Sequence, residues 1–345
     1  MSDRFTKLTK TLNLPLQVII FILSCWFIYK KVFHKGDIEQ LSQDIMQRIE
    51  DPLFLMELVI VVLMMILNWS VETEKWRFLI GKVEKVGFFR AFQGVLAGVT
   101  ISSILPNRTG EFLARIFVLN RTSRIEGILV TIIGSIGQIV VTLITGSVGL
   151  LFFLHRYVPD NPFFSGFFLG GIIAGVVLFD LLILGLYLKV DFLSVIRDKI
   201  FIGYLKRGRK FFRIFGYYHW KELVIALLFS FIRYLIFSTQ FYLLLLMFDV
   251  RIYYPHAIMI ISIIYFVMAI IPTITLTELG IRGSVSLFFF GLYFSAIGIS
   301  GQVVNVGIFF ASTLLWMINI GVPAALGAFF IFRLKFIRPQ PTAEP

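Results

Sequence analysis

Pro106-Asn107-Arg108-Thr109-Gly110-Glu111-Phe112-Leu113-Ala114-Arg115 interrupts one long apolar run of the chain, and Pro272-Thr273-Ile274-Thr275-Leu276-Thr277-Glu278-Leu279-Gly280-Ile281-Arg282 interrupts another. Each stretch places a glutamate four residues before an arginine, so that both side chains lie on one face of a helix. Proline removes a backbone donor and disfavours helix in the residue before it. We therefore predict a helix break at each proline, followed by an ion pair in the next helix.

The composition is that of an integral membrane protein. Of the 345 residues, 58% are hydrophobic and 15% are charged, whereas a soluble domain carries about a quarter charged residues. Several apolar stretches reach the roughly 20 residues that cross a bilayer. We predict an all-α, polytopic protein with six full transmembrane helices, at 15–33, 52–71, 127–154, 163–188, 221–248 and 302–332.

Two further apolar regions, 91–119 and 256–295, are each divided by one of the opening stretches. Their arms of about 10 to 16 residues are too short to cross at 1.5 Å per residue. We predict a re-entrant helical hairpin in each region. Non-helical backbone at membrane depth is tolerated only against protein or a wet cavity.

The basic residues predict the orientation. With both termini cytoplasmic, the inner segments 1–14, 72–90, 120–126, 189–221 and 333–345 hold 22 Lys and Arg, and the four outer segments hold 4. Cytoplasmic loops collect such residues. The distribution predicts cytoplasmic N- and C-termini, and with the family resemblance given below we expect the bacterial cytoplasmic membrane as the location.

This orientation gives the two halves opposite topologies. We predict a single membrane domain, 1–345, composed of an inverted repeat of 1–155 and 156–335, with a short polar tail at 336–345. Inverted repeats with discontinuous helices are the plan of many secondary transporters.

Several classes of function are disfavoured. The net charge of +12 follows from the basic inner loops, so we expect no nucleic-acid partner. A lone Cys25 and four scattered histidines provide no ligand set. We expect no metal and no cofactor.

The opening stretches carry the candidate substrate-binding residues. A half-helix that begins after each break directs free N–H groups and its positive dipole end at the break, where phosphate or carboxylate binds readily. Arginine adds a forked donor that suits phosphate oxygens. The candidates are Asn107, Arg108, Thr109, Gly110, Glu111, Arg115, Thr275, Thr277, Glu278 and Arg282. The alternative is structural, with Asn107, Thr109 and Thr275 as helix caps and ion pairs that neutralise each other in a packed bundle.

Other polar residues give weaker signals. Arg233 fits a cavity lining or an interfacial position equally well, whereas Glu57 and Asp180 lie near predicted span ends, where solvated positions are favoured. The basic run 206–213 suits anionic lipid headgroups. The segment 72–90 mixes charges with aromatic residues and resembles an interfacial helix.

The first stretch with Arg115, together with Pro272 and Gly280-Ile281-Arg282, resembles the lysylphosphatidylglycerol synthase transmembrane region, a flippase-like family, over about 10–335. The resemblance implies re-entrant helices and movement of aminoacylated phosphatidylglycerol across the membrane. No aminoacyltransferase domain is visible, so we expect no lysyl-lipid synthesis. Glu278 occupies an early glycine position of the family pattern, whereas Arg282 keeps its place.

We expect a flippase-like transporter, not an enzyme, that moves a phospholipid or lipid-linked substrate with a charged headgroup. In this hypothesis Arg108, Arg115 and Arg282 hold the phosphate. A homodimer is also expected. The alternatives are an intramembrane lipid-modifying transferase with Glu111 as general base, and a non-transporting scaffold for a separate enzyme.

Overall fold

The computed structural model describes residues 22, 26, 51–104, 110–120, 124–157, 166–189, 213–271, 275–299 and 302–331. Within these ranges the secondary structure is helical and contains no strand. The α-helices are α1 Pro52–Ile80, α2 Phe88–Ile104, α3 Gly110–Ile116, α4 Arg124–Tyr157, α5 Gly166–Leu188, α6 Trp220–Met247, α7 Tyr254–Ile270, α8 Thr275–Ala296, α9 Gln302–Trp316 and α10 Val322–Ile331. A 3₁₀ turn at Arg213–Tyr217 precedes α6, and a π-helical segment at Met317–Gly321 joins α9 to α10.

Local chemistry fixes the ends of α1. The Asp51 carboxylate accepts a hydrogen bond from the Leu53 backbone N–H at 2.9 Å, as an N-cap does. Pro52 occupies the first helical position, where its missing N–H has no cost. The helix ends at Ile80, and a turn begins at Gly81.

Both predicted helix breaks are confirmed. α2 ends at Ile104, and α3 begins at Gly110. α7 ends at Ile270, and Ile271 has extended backbone with ψ 117°. That conformation is the one that the following proline imposes on its neighbour.

Among the described residues, six helices are long and apolar enough to cross a membrane: 52–80, 124–157, 168–188, 220–247, 277–296 and 303–330. Five of them match predicted spans. The predicted span 15–33 lies outside the described residues, except for Ile22 and Trp26, which are helical. The sixth, at 277–296, belongs to α8, for which we predicted a short hairpin arm. That length was wrong, because α8 has 22 residues, about 33 Å.

The chain forms two compact units, each assembled from separate segments. Unit one comprises 1–66, 142–180 and 235–319, and unit two comprises 67–141, 181–234 and 320–345. The inverted repeat stays a prediction.

In unit two, α2 and α3 form an antiparallel hairpin in which the two helix backbones approach each other very closely. A Cβ on Gly110 would lie 2.3 Å from the Ser102 backbone nitrogen, and one on Gly98 would lie 3.2 Å from the Glu111 Cα. α10 packs on α2, where the Thr100 hydroxyl donates to the Ala324 carbonyl at 2.6 Å. At 17 and 7 residues, both arms are shorter than a membrane crossing. That the α2–α3 hairpin enters and leaves the membrane on the same side stays a prediction.

In unit one, α7 and α8 also run antiparallel. The His256 Nδ1 near the start of α7 lies 3.1 Å from the Tyr293 hydroxyl near the end of α8. α4 packs closely on α7 in the same unit, because a Cβ on Gly146 would lie 2.3 Å from the Phe266 Cβ.

Glycines on α4 allow close helix packing, because Cβ atoms at Gly134, Gly137 and Gly149 would all meet neighbours within 3.1 Å. Gly170 and Gly171 on α5 have open space around them within the described chain.

The prediction of an interfacial helix at 72–90 is wrong. α1 continues to Ile80, and one face of its C-terminal part is buried, with Glu72 3%, Lys75 1% and Trp76 1% exposed. The Trp76 indole donates to the Thr131 hydroxyl on α4 at 3.0 Å. These charged and aromatic residues are therefore covered by protein.

The hairpin contact gives a stability prediction. Gly110→Ala should destabilise the protein by about 3 kcal/mol, because overpacking against backbone cannot be relieved by a rotamer change. The loss is measured as a fall in the Tm of the purified protein in detergent. Gly291→Ala on α8 is the control, since its Cβ would meet nothing within 4 Å. Equal Tm values for the two variants would contradict the close hairpin.

Candidate functional site

Three basic side chains converge on the carboxylate of Glu72 in unit two. The Glu72 Oε1 accepts from the Arg115 Nη1 at 2.9 Å. Its Oε2 lies 2.8 Å from the Lys75 Nζ and 3.0 Å from the Arg233 Nη1. The side chains of Glu72, Lys75 and Arg115 are 2–4% exposed, and that of Arg233 is 19% exposed. We call these four residues and Glu111 the Glu72 cluster.

Helical spacing assembles one side of this cluster. Asn68, Glu72 and Lys75 lie at four- and three-residue intervals on α1, so they share a face. The Asn68 Oδ1 accepts from the Arg233 Nε on α6 at 3.1 Å. The Arg233 guanidinium also lies 4.9 Å from the ring centre of Trp69, which is a cation–π contact. Arg233 is therefore held in place by α1.

α3 supplies the remaining cation. The predicted pairing of Glu111 with Arg115 is confirmed, but at 3.5 Å it is longer than the contact of Arg115 with Glu72. Glu111 remains 19% exposed. The Arg115 Nε is buried, and no described residue accepts from it. The break after α2 therefore positions Arg115 against α1.

The charges in the cluster do not cancel. Lys75, Arg115 and Arg233 are three cations, whereas Glu72 and Glu111 are two anions. Buried charge is costly without a partner. With all five groups ionised, the cluster has a surplus positive charge, and a single anionic group would balance it.

A second buried ion pair lies in unit one. The Arg282 Nη2 donates to the Glu278 Oε1 at 2.5 Å, and each side chain is 6% exposed. This pairing confirms the prediction from the second stretch. The guanidinium carbon lies 5.8 Å from the ring centre of Phe237 on α6. The Arg282 Nε and Nη1 are buried and have no acceptor among the described residues.

Two buried hydroxyls without partners occur near this pair along α6 and α8. Ser286 is one turn beyond Arg282 on α8, and Ser238 follows Phe237 on α6. Both hydroxyls are buried without a described hydrogen-bond partner. An unsatisfied buried group costs about 1–3 kcal/mol. The region therefore holds donors that a polar ligand or water would satisfy.

The other predicted site residues are distributed as follows. Gly110 is the first residue of α3 and is buried, Thr275 is the first residue of α8, and Thr277 is 8% exposed. Asn107, Arg108 and Thr109 lie outside the described residues, as does the basic run 206–213 apart from the backbone of Arg213.

Sequence reasoning missed Glu72, the residue on which this site is centred. We placed it in a cytoplasmic loop because the charges after Asn68 suggested that the apolar span had ended. The available signal was the three-residue spacing of Glu72 and Lys75, which suits an ion pair on a continuing helix.

The model of the family described as lysylphosphatidylglycerol synthase TM region matches residues 15–320. The chain belongs to this family. The match includes both helix breaks and every residue of the Glu72 cluster. A search of curated proteins finds no match to the chain. The family match and the six apolar helices agree on a multi-pass membrane protein related to lipid handling.

Removing the central carboxylate should be strongly destabilising. Glu72→Gln leaves the buried Lys75 and Arg115 and the partly exposed Arg233 around a neutral amide, so we expect a loss of about 3–5 kcal/mol. Glu74→Gln on the same helix is the matched control, because its ion pair with Arg77 is 30–43% exposed and should contribute less than about 1 kcal/mol. Thermal unfolding in detergent measures both.

A double substitution tests whether the effect arises from charge. Glu72→Gln combined with Lys75→Met removes one charge of each sign, so it should restore part of the stability lost in Glu72→Gln. If the double variant is instead less stable than Glu72→Gln alone, the two charges act independently and the cluster does not act as a unit.

Proposed function

We propose that the chain is a flippase-like transporter that binds the phosphate of a phospholipid or lipid-linked substrate and moves its headgroup across the bacterial cytoplasmic membrane. The substrate class is a lipid with an anionic phosphate at the headgroup. Both termini lie in the cytoplasm in this proposal. The family is described by a phosphatidylglycerol lipid, which agrees with this class of substrate.

The observation that carries the proposal is the surplus positive charge of the Glu72 cluster. Arg233 donates its Nε to Asn68 and its Nη1 to Glu72. Its side chain is the most exposed of the three cations, and a guanidinium has N–H donors beyond the two that these contacts use. An arginine that is held by two contacts and offers a third donor is preorganised for a phosphate oxygen.

Arg282 in unit one supports a second binding position. Two of its three nitrogens have no acceptor among the described residues, although the side chain is buried. A headgroup oxygen at this position would satisfy them. The Glu278–Arg282 pair is neutral and favours a polar, uncharged ligand group, whereas the Glu72 cluster by itself favours a phosphate.

Leaflet exchange in proteoliposomes tests the proposal. Phosphatidylglycerol labelled on one acyl chain is reconstituted with the protein, and the outer leaflet is quenched with an impermeant reductant. Arg233→Gln should slow exchange about ten- to hundred-fold, because a hydrogen bond to a charged group contributes about 1.5–3 kcal/mol. Arg77→Gln is the control, since this arginine pairs with Glu74 outside the cluster.

The same reconstitution separates the alternatives. Mass spectrometry of the extracted lipid detects a covalent change, which would favour an intramembrane transferase. Equal exchange rates with folded wild-type protein and with empty vesicles would contradict transport and favour the scaffold.

A further inference from the structure

α5 carries a carboxylic acid, Asp180, that lies deeper within the helix than the span-end position that we expected for it. Asp180 lies 8 residues from Leu188 and 14 from Gly166, about 12 Å and 21 Å along the helix. The residues around it are apolar, and Leu178, Leu181 and Leu182 are 59–69% exposed. Asp180 is therefore at membrane depth on a helix whose outer face suits lipid.

Among the described residues, Asp180 makes its polar contact with Ser147 on α4, and both residues belong to unit one. The Ser147 hydroxyl oxygen lies 2.9 Å from the Asp180 Oδ1 and 3.0 Å from its Oδ2. The same oxygen lies 2.9 Å from the Ile144 carbonyl oxygen. Three acceptor atoms thus surround a hydroxyl that has a single proton.

A protonated carboxyl resolves this shortage of protons. The acid then donates its proton to the Ser147 oxygen, and the serine donates its own proton to the Ile144 carbonyl. If the acid were ionised, the serine proton would have to leave the Ile144 carbonyl, and a full charge would depend on one neutral donor. A charged aspartate at the centre of a membrane helix costs about 2.5–3.5 kcal/mol on insertion scales.

No described basic side chain pairs with Asp180 to offset that cost. On α5 the other titratable residue is Tyr187, and on α4 they are Arg124, Glu126, His155, Arg156 and Tyr157. The nearest of those on α4 to Ser147, His155, is two helical turns away along the chain. Every described contact of Asp180 therefore favours the neutral acid.

We propose that Asp180 is a proton-binding site within the membrane that holds its proton against Ser147 at neutral pH. The ligand is a proton, and the site is separate from the Glu72 cluster and from Glu278–Arg282. The proposal does not depend on whether the chain moves lipid.

Labelling with dicyclohexylcarbodiimide, an apolar reagent, tests this proposal on the full-length protein in liposomes. The carboxyl O–H adds across a C=N bond of the reagent, with the oxygen to carbon and the proton to nitrogen. The adduct rearranges to a stable N-acylurea without a leaving group. Peptide mass spectrometry should find this adduct on Asp180 at pH 7, with a yield that falls as the pH rises and the acid ionises.

Three variants define the result. Asp180→Asn should lose the adduct, whereas Glu57→Gln, which removes an exposed carboxylate on α1, should leave it unchanged. Ser147→Ala should keep the adduct to higher pH, because the ionised form loses its donor. No adduct on wild-type Asp180 at pH 7, or an adduct with a water-soluble carbodiimide alone, would overturn the proposal. Since wild-type protein gives the primary result, a variant that fails to fold does not affect the test.

Discussion

The structure depends on how a buried carboxylate is neutralised. Glu72 is within a helix that is long and apolar enough to span a membrane, and it attracts cations from three helices of unit two: Lys75 from α1, Arg115 from α3 and Arg233 from α6. Replacing the set with apolar residues would pack at lower cost. Because one cation comes from the short helix α3, the helix break at Pro106 and the ion cluster form a single arrangement.

The Glu72 cluster relates the stability of the fold to the proposed binding of an anionic group. A cluster with equal charges would only hold helices together, whereas this one has a surplus cation and a partly exposed Arg233. The Glu278–Arg282 pair of unit one differs, since it is neutral and has unsatisfied nitrogens. Each site therefore offers donors beyond those that packing requires. Small hydrogen-bond acceptors such as phosphate and ester oxygens match this surplus.

The sequence predicted features that depend on local rules, and it failed where distant segments meet. The interruptions between α2 and α3 and between α7 and α8, and the two i,i+4 pairs, follow from proline chemistry and helical spacing, and all four are observed. Glu72 was missed because hydropathy alone cannot show that a charged helix end is covered by α3 and α6. The length of α8 was missed because a single polar turn, with Glu278 and Arg282, was taken as the limit of the apolar run.

The central claim is that the Glu72 cluster binds the phosphate of an anionic lipid. Native mass spectrometry of the protein released from vesicles with equal amounts of phosphatidylglycerol and phosphatidylcholine tests it most directly. The account predicts one phosphatidylglycerol retained in preference to phosphatidylcholine by the wild-type protein, with this preference lost in Arg233→Gln and kept in Arg77→Gln. Equal retention of both lipids by the wild-type protein, or a preference that survives Arg233→Gln, would contradict it.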